Sequence, residues 1–131
     1  MTQHISGSFD VKITPQATPG KSADAVPGRM SIDKQFHGEL DAHSLGEMLA
    51  AMGNVKGSAG YVAIEQVTGT LQGRSGSFVL QHSGTMTRGT PQLTVSVVPD
   101  SGAGELTGLE GRMKIDIVDG KHFYEFDYTL P

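Results

Sequence analysis

Three side chains in this chain have the wrong chemistry for their positions. Lys34 lies between Ile32 and Phe36 in the alternating run RMSIDKQFH. Glu65 shares its parity with Tyr61, Ala63 and Val67 in YVAIEQVT. His82 follows in step with Phe78 and Leu80 in SFVLQH. A charge on an inward face is costly unless it is paired, so each of the three is either partnered in a core or borders a cavity. A carboxylate, an ammonium and an imidazole brought together could act as general acid or base, or stabilise developing charge. In an apolar interior, burial would push the Glu65 carboxyl up, and Lys34 would oppose that shift. Tyr61, Phe36, Phe78, Tyr124 and Tyr128 would then give a ligand flat apolar walls and phenolic donors. The plainer alternatives are a Lys34 that reaches water from a strand end and a His82 that is structural. Val62 and Ile64 make the other face of 61–68 equally apolar, so parity leaves open which face is inside.

The elements that carry these residues alternate with period two. Phe9, Val11 and Ile13 share one face of 8–13, and Pro15 ends that run. The segment 16–27, QATPGKSADAVP, has no period and reads as a surface loop. Arg29–His37 alternates, Gly38 interrupts as a bulge or bend, and Glu39–Ser44 resumes. Leu45–Met52 fits either period and is read as strand, because an eight-residue helix is marginal without packing. Two runs, 61–68 and 77–82, flank the glycine-rich GTLQGRSG. Leu93, Val95 and Val97 point inward from 92–98, and Pro99-Asp100-Ser101-Gly102 is a turn. A long strand is expected over 104–118, then an Asp119-Gly120 hairpin turn and a last strand to Leu130.

Eight or nine strands with little helix to cover them must curl up or split into two sheets. The 131 residues make one domain, 1–131. Its 18 glycines, about twice the usual share, suit the bends of a barrel better than a sandwich. The expected fold is all-β, a single closed antiparallel barrel of about eight strands.

Several function classes are set aside. The net charge is −4 and the pI about 5.6, so there is no electrostatic case for nucleic acid or an anionic membrane. No cysteine is present, which removes disulfides and thiolate chemistry. His4, His37, His43, His82 and His122 show no HxH or HxxxH spacing, so no metal is expected. GRSGS at 73–77 departs from a nucleophile elbow at its fifth residue and lacks the following helix. GTLQGRSG has no phosphate-loop lysine. No cofactor is implied. The N-terminus shows no signal pattern and no apolar run approaches a membrane span, so a cytoplasmic protein is expected.

Four runs together, SIDKQFHGEL, GSAGYVAIEQVTGTLQGRSGSFVLQHSGTM, LTVSVVPDSGAGELTGLEGRMKI and DGKHFYEFDYTL, closely resemble a family of small uncharacterised bacterial proteins. That family is a domain of unknown function with a fold similar to the allene oxide cyclase barrel. The resemblance runs from about Ser6 to Leu130. It implies an eight-stranded, calycin-like antiparallel barrel and no settled activity. Plant allene oxide cyclases close an unsaturated fatty-acid epoxide in such a cavity. No residue motif of that enzyme is matched here, and fold analogy alone is weak warrant for function.

Three expectations follow. The first is a binder of a small, mostly apolar molecule in the barrel. The second is a cyclase or isomerase with Glu65 as acid or base, assisted by Lys34, His82 and a tyrosine. The third is a structural barrel with a filled interior, acting through subunit contacts. Whether the chain is an enzyme stays open. A homo-oligomer is expected, because both faces of 61–68 are apolar.

Overall fold

Short alternating runs divided by turn residues can bury their apolar side chains and pair their backbone groups at once only by lying side by side. The structure, a computed structural model, describes residues 2–16 and 28–131. The 16–27 loop expected from the sequence lies, beyond Gln16, outside the described residues. The strands are β1 (Gln3–Gln16), β2 (Gly28–Gly38), β3 (Leu40–Met52), β4 (Ala59–Leu71), β5 (Arg74–Thr87), β6 (Thr90–Val97), β7 (Ala103–Gly104), β8 (Glu110–Val118) and β9 (Lys121–Thr129). The sheet runs β4-β3-β2-β1-β9-β8-β6-β5, and β4 pairs β5 to close the ring. The fold is therefore an all-β, closed, eight-stranded antiparallel barrel. The two-residue β7 sits outside it, paired to β5 at Gly76 and Ser77. No helix among the described residues is long and apolar enough to cross a membrane.

The β4–β5 hairpin pairs without a break from Ala59↔Met86 to Leu71↔Arg74. Its turn is only Gln72–Gly73. Like Arg88–Gly89 and Asp119–Gly120, it has positive φ at both residues. That is the type I′ geometry whose twist matches antiparallel strands.

One sequence expectation is sharpened and one changes. Of the bulge or bend expected at Gly38, the structure has the bend, a tight hairpin turn into β3, since Phe36 pairs back onto Ala42. The strand expected over 104–118 starts only at Glu110. The reason is the pair Leu106 and Leu109, both buried. Residues three apart point to opposite faces of a strand, so burying both requires a turn. That turn plugs one end of the barrel. The 45–52 run, which fits both periods, is strand throughout.

The middle of the barrel and the layer under the plug are packed with aromatic rings. Phe36 meets Tyr124 edge-on, and Phe78 stacks on Phe126, which stacks on Tyr128. The opposite end, rimmed by the Arg88–Gly89 and Asp119–Gly120 turns, is less complete. There β6 and β8 share only Val95↔Met113 and Ser96↔Arg112. From Val95 towards Thr90 this joint has no ladder.

Candidate functional site

Register brings the three misfit side chains together. Lys34 on β2 pairs with Ser44 on β3, Ser44 with Val67 on β4, and Glu65 on β4 with Gly46 and Leu80. Ala63 pairs with His82 on β5. All these side chains point inward, because the neighbouring Ala63 and Val67 are buried while Val62 and Ile64 face out. The question that parity left open is thus answered by the tube: Tyr61, Ala63, Glu65 and Val67 line the inside.

Glu65 is the centre and is 0% exposed. Its Oε1 accepts from the Ser44 hydroxyl at 2.7 Å. Its Oε2 accepts from Lys34 Nζ at 2.9 Å and from His82 Nε2 at 2.5 Å. Lys34 Nζ also lies 4.7 Å from the Phe9 ring centroid and 5.4 Å from that of Phe36, within cation–π range. Burial pushes the Glu65 carboxyl up. The His82 hydrogen bond, the Lys34 and His82 charges and the Lys34 hydrogen bond overturn that push and lower its pKa to about 2. The shift expected from burial is therefore reversed, because three donors meet one carboxylate. Lys34 is itself buried and does not snorkel to water.

Tyr61 stands above this cluster, its ring centroid 6.4 Å from that of His82. Burial, and then the Glu65 charge, raise its phenol pKa. The ring fits because Gly84 faces it: a Cβ there would lie 2.5 Å from Tyr61 Cε1. Gly46 makes the cluster possible from below. A Cβ at Gly46 would come within 2.2 Å of the Ile64 carbonyl oxygen and 2.7 Å of the Glu65 Cβ.

A family model described as "Protein of unknown function (DUF3224)" matches residues 5–128. The chain belongs to the DUF3224 family. It is also similar to the crystal structure of a DUF3224 protein of unknown function from Shewanella oneidensis MR-1. The identity is 57%, with 100% of this chain and 99% of that one covered and a TM-score of 0.91. None of the curated proteins compared with the chain matches it.

For this DUF3224 barrel the remaining sequence candidates divide by height. Phe36 underlies Lys34. Phe78 and Tyr124 are packed among those aromatic rings, where the Tyr124 hydroxyl donates to the His37 carbonyl at 2.9 Å. Tyr128 lies at the plugged end, lining a separate cavity of about 290 Å³ with Gln3, Gln72, Arg74 and Leu130. Its hydroxyl donates to Gln72 Oε1. These three do not join the cluster. His37 and His43 face outward, bonded to Asp10 and Asp33. Among the described residues no three His, Asp or Glu side chains gather as metal ligands. Ser44 and Gly46 were missed by sequence reasoning. Ser44 could have been found, since it is in step with Leu40 and Ala42.

Proposed function

We propose that the end of the barrel away from Leu106 and Leu109, which no described residue plugs, binds a small, mostly apolar molecule over the Lys34–Glu65–His82 cluster. One observation carries the reading. Inward-parity apolar residues around that end are left in solvent: Ile13 at 47%, Met86 at 40%, Leu93 at 41% and Ile117 at 65% exposed. At the plugged end the equivalent layer is shut by Leu106 and Leu109. Exposed apolar side chains at the end of a barrel, above a cluster of fixed polar groups, suit a ligand site. A cytoplasmic setting and an allene oxide cyclase-like cavity belong to the same proposal.

The cyclase or isomerase alternative, with Glu65 as acid or base, has less support. A carboxylate bonded through both oxygens, with its pKa lowered to about 2, has no proton to give near neutrality. A subunit-contact role draws on a different feature. Leu45, Leu49, Val62 and Ile64 form an exposed apolar patch on the outside of β3 and β4, which we propose meets a second copy.

Native mass spectrometry of protein purified from its own host tests the binding reading. A retained apolar compound is expected, and Leu93→Lys should release it. A bare polypeptide mass, together with no fluorescence gain from the apolar dye 1-anilinonaphthalene-8-sulfonate, overturns the reading.

A further inference from the structure

We infer that His82 Nδ1 is the atom that reads the ligand, and that it selects an apolar molecule carrying an O–H or N–H donor. This rests on the binding site proposed above and gives it a chemistry. Glu65 is then a positioning residue and touches no ligand.

The argument begins with the proton inventory. Glu65 Oε2 can only accept, so the nitrogen facing it at 2.5 Å, His82 Nε2, carries a hydrogen. In the neutral ring that leaves Nδ1 as a bare lone pair. Nδ1 makes no hydrogen bond to a described residue. Among the described residues no side-chain nitrogen or oxygen is both buried and without a partner. Nδ1 is therefore not sealed off among the described residues. His82 points inward, flanked by Ala63, Val95 and Gly84, on the side of the cluster where Tyr61 stands.

The carboxylate acceptors of the cluster already have donors. Both Glu65 oxygens are occupied, the Ser44 hydroxyl is spent on Oε1, and Lys34 Nζ is held by Oε2 between two aromatic faces. Among the ring and carboxylate acceptors of the cluster, the one with no donor among the described residues is His82 Nδ1. An acceptor ringed by apolar walls favours a hydroxyl- or amine-bearing apolar ligand over the bare hydrocarbon, since only the former replaces the water that Nδ1 gives up. The carboxylate behind the imidazole fixes its tautomer and orientation, which is the logic of a carboxylate–histidine pair.

The test uses two probes of one shape, naphthalene and 2-naphthol, on the full chain with 15N-labelled histidine at about pH 8, above the ordinary imidazole range. In the free protein the His82 ring should show protonated Nε2 and unprotonated Nδ1. Both probes should move the Leu93 and Ile117 methyl signals. Only 2-naphthol should shift the Nδ1 resonance, and it should bind up to roughly tenfold tighter. His82→Phe should remove that preference. Glu65→Gln should mix the two ring tautomers, a signature that a purely structural carboxylate would not give. Equal binding with an unmoved Nδ1, or a doubly protonated or Nδ1–H ring in the free protein, overturns the inference and leaves the binding site standing. If neither probe moves the methyl signals, the site and the inference fall together.

Discussion

Glu65 Oε2 lies 2.5 Å from His82 Nε2 on the next strand, and the same oxygen takes the Lys34 ammonium at 2.9 Å. One buried oxygen thus holds two donors from opposite sides of the β4 backbone. Such a cluster is sensitive to the loss of any single member, because the others stay buried without their partner.

Lys34→Met should therefore destabilise the barrel by about 3 kcal/mol, since it strips a cation from a buried carboxylate. The double variant Lys34→Met with Glu65→Leu should recover part of that loss. A urea-denaturation cycle over the four proteins measures the coupling; additive single effects would show that the pair is energetically idle.

Acid should unfold the protein through Glu65. Its folded-state pKa is lowered from 4.5 to about 2. The unfolded chain therefore binds the proton first. The stabilisation is fully present above about pH 4.5 and is lost as pH falls towards about 2. Its size is on the order of 3 kcal/mol at neutral pH. Glu65→Gln should flatten this part of the stability profile, followed by circular dichroism from pH 6 downwards, an order-of-magnitude window taken from the same linkage.

Gly46→Ala should cost about 1–3 kcal/mol by overpacking, since the new methyl meets the Ile64 carbonyl and Glu65. The His82 ring signals should shift with it. An unchanged melting temperature would mean that β3 and β4 separate freely at this point.

Much of this architecture was readable in advance, for a physical reason. The inward parity of Lys34 and His82 is local and alternation reports it directly, whereas the apolar Val62 and Ile64 opposite Glu65 left its face undecided until the tube closed. Closure of the barrel is what turned parity into contact, and no local pattern encodes it. Leu106 and Leu109 were misread because a turn that buries both looks, in sequence, like a glycine-broken strand. Ser44 was passed over because its strand was read from Leu40 and Ala42 alone, although it keeps their parity and is buried with them. The tyrosines were grouped by chemistry alone, and the register then set Tyr61 and Tyr128 at opposite ends.

The outer face makes a separate prediction. If Leu45, Leu49, Val62 and Ile64 meet a second copy, light scattering at micromolar concentration should give a dimer or larger, and Leu49→Lys with Ile64→Lys should give a monomer. A wild-type monomer would remove this assembly.

The short ladder between β6 and β8 divides the molecule by motion. A ring with one two-pair joint does not loosen evenly; it breathes there first. Within Gln92–Thr94 and Lys114–Ile117, the amides that point into this joint and away from β5 and β9 should take up deuterium well before those of the unbroken β4–β5 hairpin. A guest too large for the rim would then enter sideways, at a rate set by how often that joint parts.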